Sequence, residues 1–241
     1  MLHTGTEIKT KNVEVETNMV ENILQRVSLK DQVYQYLKKA IINGDLKTGE
    51  IYSEQMFATQ LNISRTPVRE AVLQLRHENM LEIYNNRGIM VKPLLFEDVK
   101  KIIEARVAIE GYSVRHLTKN IHTPEAQEVV ILLDTCLKLA VKALNDQYCY
   151  YDFMQADIDF HGLIVDFTKN DYFINTIHML KSRIEKATVD SLKQGERMRI
   201  AIKEHEELFE IIKSGDDYGA YLSFEKHMQN TIEVMKHCNL D

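Results

Sequence analysis

The sequence contains no tryptophan, only three prolines and only nine glycines in 241 residues. So thin a supply of turn residues disfavours a turn-rich all-β fold and favours long helices. Its three cysteines, Cys136, Cys149 and Cys238, include no Cys-x-x-Cys pair. That argues against a disulfide framework and for a reducing compartment, here the cytoplasm. No apolar run approaches the ~20 residues that a membrane span needs. Residues 1–27 are too polar and charged for a secretory signal, so no membrane partner is expected. Excess positive charge is also missing. The formal balance is −6, which argues against bulk electrostatic attraction to nucleic acid but leaves room for a local basic face. The hydrophobic share of 44% is still enough for a packed core and argues against a wholly disordered chain.

What is present divides the chain into three parts. Residues 1–27 read as a mobile N-terminal arm. From Ser28, a helix cap, apolar residues recur at Val33, Tyr36, Leu37, Ala40 and Ile41, and Asn43-Gly44 ends the helix. Ser53 caps a short helix over 54–60, with Met56, Phe57 and Leu61 facing inward. Ser64 caps a third over 65–79, with Pro67 in its first turn and Val68, Ala71, Val72 and Leu75 as its buried stripe. Leu81–Tyr84 and Ile89–Lys92 alternate like strands around a turn at 85–88. Residues 28–93 carry nine lysines and arginines against seven acids, so the acidic surplus lies elsewhere.

Beyond Pro93 the pattern is helical to the end, with helices near 97–118, 124–145, 150–168, 171–193, 197–213 and 216–238. The expectation is a mainly α protein: an N-terminal winged helix-turn-helix over 28–93 and a C-terminal antiparallel all-α bundle of about six helices over 94–241. Residues 92–97 are the candidate hinge between them.

Two constellations carry chemistry. Ser64, Arg65, Thr66 and Arg69 open the third helix, where a recognition helix meets the major groove. Arg65 and Arg69 share a face, and each guanidinium can grip a guanine edge or a phosphate with two hydrogen bonds. Arg87-Gly88 lies at the hairpin tip, placed to enter a minor groove. By itself an arginine pair on a helix is equally a solvated face, and it is the helix-turn-helix-wing context that favours DNA.

The second constellation is Asp157 and His161, one turn apart on a helix, with His205 and His227 on later helices. Three imidazoles and a carboxylate suit Zn²⁺, Ni²⁺ or Mn²⁺. Spacing alone leaves chance pairing open. A zinc-protease motif is excluded, because Phe209 stands where the second histidine of His-Glu-x-x-His would be.

The string Ser64-Arg65-Thr66-Pro67-Val68-Arg69-Glu70-Ala71, with Ser53-Glu54 before it and Arg87-Gly88-Ile89-Met90-Val91 after it, resembles the signature of GntR-family bacterial transcription regulators. The resemblance implies DNA contacts at Ser64, Arg65, Thr66 and Arg69, with Gly88 approaching the minor groove. Gln55 departs from the arginine common at that position. The half from 97 to 235 resembles the FCD effector domain of the FadR branch. It does so through Asp157-x-x-Phe160-His161, Glu204-His205 and His227-Met228, with Arg106, Asn170 and Arg197 also fitting. This likeness implies a metal held by Asp157, His161, His205 and His227, beside which a small carboxylate effector binds.

Arg106 and Arg197 are candidate partners for that effector's charge, the alternative being buried salt bridges such as Arg106 with Glu110. Glu204 and Asp159 read as surface or outer groups, and Tyr148, Tyr150 and Tyr151 as packing. The expected function is a homodimeric, non-enzymatic regulator that reads a pseudo-palindromic double-stranded operator under effector control. Its rivals are a metal-dependent hydrolase fused to a DNA-binding unit and a regulator whose metal is purely structural.

Overall fold

Capping residues set most of the helix starts in the computed structural model, which describes residues 28–84, 87–146 and 149–238. The expected arm at 1–27, the turn residues Asn85-Asn86 and Tyr148 lie outside the described residues. Helix α1, Leu29–Asn43, begins where the Ser28 hydroxyl accepts the Asp31 amide and ends on Gly44 in the left-handed conformation. Helix α2, Glu54–Gln60, begins with the Ser53 hydroxyl accepting the Met56 amide. Helix α3 spans Arg65–His77. It stops two residues before the expected end because Asn79 takes a positive φ of 58°, a conformation asparagine tolerates.

Strands β2, Leu81–Tyr84, and β3, Gly88–Val91, form the expected hairpin, with Leu81 opposite Val91 and Ile83 opposite Ile89. A third strand, β1, Ile51–Tyr52, pairs with β3 and completes a sheet of order β1-β3-β2. Two residues are too few to show alternation, so this strand was not legible in the sequence. It also gives Gly88 a second reason to be glycine. At φ 128° a Cβ there would run into the Tyr52 carbonyl oxygen.

The inward faces differ from expectation at two places. Tyr34, not Tyr36, is the buried tyrosine of α1; Tyr36 is 46% exposed. Met56 is exposed as well, because the short α2 has one inward face and Phe57 and Ala58 occupy it.

Among the described residues, the rest of the chain forms six helices: α4 (Phe96–Lys119), α5 (Pro124–Asn145), α6 (Tyr150–Asp166), α7 (Asp171–Leu192), α8 (Arg197–Ser214) and α9 (Asp217–Met235). Thr123, Asn170 and Asp216 cap α5, α7 and α9 through their side chains. The bundle has its own core around Leu117, Leu133, Phe160 and Phe224. The core of the N-terminal unit runs without a break into one end of that bundle, reaching Ala140, Phe153, Met154, Val189 and Met198. The connecting segment is anchored too: Lys92 N donates to Met80 O at 2.9 Å, and Leu94 is buried in the bundle core.

Candidate metal centre and DNA-reading face

Helix α6 buries Phe153, Met154, Asp157, Phe160, His161 and Ile164, so its inward stripe contains two metal-competent polar groups among apolar ones. Helix α8 brings His205 and α9 brings His227 to the same place. Asp157, His161, His205 and His227 are all buried, and their potential ligand atoms lie within 4.8 Å of one another. His161 Nε2 and His205 Nε2 face each other at 3.1 Å, and His205 Nε2 is 3.5 Å from Asp157 Oδ1.

This set fits a divalent transition ion. Ligands each about 2.1 Å from one ion stand about 3.0–4.2 Å apart, so the widest pairs of the cluster need to close by about half an ångström or more. Burial pushes the His205 imidazole well below its usual value, and the charges of His227, His161, Arg197 and Arg106 push it the same way. His227 is also lowered, again first by burial. Neutral imidazoles are the form that ligates.

Two of the three imidazoles have an arginine-paired carboxylate behind them, and of the two His227 is hydrogen-bonded to it. His227 Nδ1 is 2.6 Å from Glu204 Oε2, and Glu204 is in turn paired with Arg197 at 2.8 Å. His161 Nδ1 is 3.1 Å from Glu110 Oε2, and Arg106 pairs with Glu110 through two contacts of 2.6 and 3.0 Å. The first is an arginine–glutamate–histidine chain that fixes the His227 ring; at His161 the carboxylate is near enough for charge pairing but out of line for a hydrogen bond, and Nε2 faces the centre. Burial alone would raise both carboxyls. Instead Arg106 and His161 hold Glu110 at about 2. His227, Arg197 and Asn230 bring Glu204 to about 2 as well.

The two arginines expected beside an effector stand differently. Arg197 faces Glu204 and Thr231, behind the centre, and it is not among the residues that line the adjoining cavity. Arg106 does line that cavity, but its guanidinium is already engaged by Glu110, the salt-bridge alternative. Glu204, expected as a surface or outer group, stands directly behind His227. Its partners are 7 and 23 residues away, too far for any local spacing to show.

The cavity has a volume of about 380 Å³, within the range of small-molecule sites. Arg106, Glu110 and His161 form its polar floor. Ile158, Leu163, Ile174, Ile177 and Ile184 are among its aliphatic walls, and Asp159, Asp166, His178 and Lys181 also line it. Of the four candidate ligands only His161 reaches it.

At the other end of the molecule, Arg65, Arg69, Arg87 and Gly88 line one groove between the start of α3 and the β2–β3 wing. Ser64 and Thr66 are exposed at the N-terminus of α3, and the Ser64 hydroxyl makes no capping bond. Glu54, part of the sequence motif but given no role there, links the arginines: one carboxylate oxygen is 3.4 Å from Arg65 Nη2 and 3.3 Å from Arg69 Nε. It lies 11 and 15 residues from them, across the helix-turn-helix. Gln55 bonds Thr59 on its own helix.

Residues 29–91 match the family described as Bacterial regulatory proteins, gntR family, and residues 101–230 match the FCD domain. The chain belongs to the GntR regulators that carry an FCD domain. An uncharacterized HTH-type transcriptional regulator of Bacillus subtilis, YdhC, is 27% identical over 206 residues, 86% of this chain and 90% of YdhC. The HTH-type transcriptional repressor RspR of Escherichia coli is 23% identical over 225 residues, 93% of each chain. The fold matches a crystal structure of a GntR regulator from a Rhodococcus species with a TM-score of 0.73 at 19% identity, covering 88% of this chain and 99% of that one. This GntR protein is therefore a transcription regulator, not an enzyme. Among the described residues no helix is long and apolar enough to cross a membrane.

Proposed function

We propose that this GntR regulator is a cytoplasmic homodimer whose operator affinity is set by a small organic acid bound beside a divalent metal. The observation that carries the reading is the buried Asp157–His161–His205–His227 cluster adjoining a cavity whose floor includes His161. These four residues would hold Zn²⁺, Ni²⁺ or Mn²⁺. The ion would supply open coordination positions for a ligand carboxylate. The chain's own residues do the rest. The Arg197–Glu204–His227 chain orients one imidazole, the Glu110 carboxylate stands behind a second, and the aliphatic walls exclude water and select the ligand's apolar body. With Arg106 already neutralised by Glu110, the organic acid's main anchor is the metal, not a free arginine.

The DNA-reading face is the groove where Arg65, Arg69, Arg87 and Gly88 converge, with Ser64 and Thr66 at a helix N-terminus suited to a phosphate. Two such faces in a symmetric dimer read a pseudo-palindromic operator.

The test is a thermal melt of the metal-loaded protein against a panel of small organic acids. A ligand that binds only the native state raises the melting temperature by mass action. A rise that vanishes on chelation and returns with added metal is the expected result. A large drop on chelation with no response to any acid would leave a purely structural metal and overturn the effector reading.

A further inference from the structure

Helix α7 touches three things at once. Ile174, Ile177, Lys181 and Ile184 line the cavity beside the metal cluster. The residues next to two of these, Ser182 and Glu185, turn toward the N-terminal unit. Glu185 Oε2 pairs with Lys38 Nζ of α1 at 2.5 Å, with side chains only 5% and 11% exposed. Ser182 donates its hydroxyl to the Glu78 carboxylate, which also accepts the Tyr34 hydroxyl at 2.9 Å. Glu78 is the C-cap of α3, the helix whose other end carries Arg65 and Arg69. The third contact is Arg183 Nη2 to Asp98 Oδ2 at 2.8 Å, in the first turn of α4 just after the connecting segment.

We propose that α7 carries the state of the metal pocket to the DNA-reading unit. It acts through the buried Lys38–Glu185 ion pair and the Tyr34–Glu78–Ser182 hydrogen-bond chain. This rests on the reading that the bundle site binds a metal and a ligand. The physical reason is the cost of intermediate positions. Separating a buried ion pair leaves an uncompensated charge, so the contact is either made or broken and does not stretch by degrees. A side chain displaced on the cavity face of α7 moves Ser182 and Glu185 with it, because the helix is stiff and the residues are adjacent. The connecting segment alone is a poor hinge, since Lys92 is hydrogen-bonded to Met80 and Leu94 is buried. The end of the recognition helix is instead tied directly to a wall of the pocket.

The experiment is hydrogen–deuterium exchange on the full-length protein, with zinc as the probe, added or chelated. Wild type is compared with the Lys38→Met/Ser182→Ala/Glu185→Met variant. Replacing a buried ion pair by apolar residues of similar size commonly leaves a fold intact. If the triple variant does not melt cooperatively, Ser182→Ala alone takes its place and is read at α3.

In wild type, zinc is expected to slow exchange severalfold in the bundle, in α1 and at the α3 terminus around Glu78–Met80. In the variant the bundle is protected with unchanged zinc affinity, while α1 and the α3 terminus no longer respond. Zinc protection confined to the bundle in wild type would overturn the proposal, as would equal protection of α1 and α3 in wild type and variant. Failure of zinc to protect or bind at all would overturn the metal reading instead, and this inference with it.

Discussion

His227 and Glu204 sit 2.6 Å apart, Nδ1 to Oε2, and this contact leaves the other ring nitrogen of His227 to the cluster. Glu204 is a positioning group: it touches the ring, not the centre. Removing such a carboxylate typically costs about 10–100-fold in metal affinity. Glu204→Gln is therefore expected to weaken zinc binding by that order in a chelator competition titration, while zinc still binds. Unchanged affinity would show that the contact does not orient the ring.

The Arg65 and Arg69 substitutions test the DNA face. Either arginine changed to alanine is expected to weaken operator binding by about 1–3 kcal/mol if it reads a base. The operator is obtained by selection from random duplexes. Affinity unchanged for both variants would remove α3 from the interface.

Glu54 separates affinity from specificity. Its carboxylate steers both guanidinium groups but also repels phosphate. Glu54→Gln is expected to tighten binding to random duplex DNA while narrowing the ratio between operator and random sequence. A preserved ratio would show that the arginines are oriented without it.

Acid stability follows from the buried imidazoles. His205 and His227 have folded-state values below the usual 6.5, lowered first by burial. The unfolded chain then takes up protons first as the pH falls, so stability present above pH 6.5 is lost below it. Glu110 and Glu204, at about 2 against a usual 4.5, keep their contribution until the pH falls below 4.5. Between pH 7.5 and 5 the histidines therefore decide the sign. Metal-free protein is expected to show a lower urea midpoint at pH 5 than at pH 7.5, and the reverse order would contradict the burial argument.

Gly88 is expected to resist substitution. Gly88→Ala combines a φ of 128° with a collision against the Tyr52 carbonyl. Strain of this kind costs on the order of 1–3 kcal/mol. A urea midpoint matching wild type would mean that the β1–β3 pairing yields easily.

The sequence by itself determined the helices and the order of the two units, because caps and periodicity act over four or five residues. Ser28, Ser53 and Thr123 mark helix starts, and Gly44 and Gly215 mark ends, where local geometry requires them. The residue types of the candidate centre were legible for a related reason: Asp157 and His161 interrupt an otherwise apolar helical stripe. The tertiary structure alone decided the partners of charged groups. Arg106 with Glu110, one helical turn apart, was an open alternative in the sequence, but the Arg197–Glu204–His227 chain was not, and Glu54 is separated from its arginines by a whole turn of the motif. The two-residue strand β1 and the choice of Tyr34 over Tyr36 belong to the same class. Each depends on what lies across a gap between elements, and a charge or an aromatic ring responds to the nearest atoms in space, however far away they are in the chain.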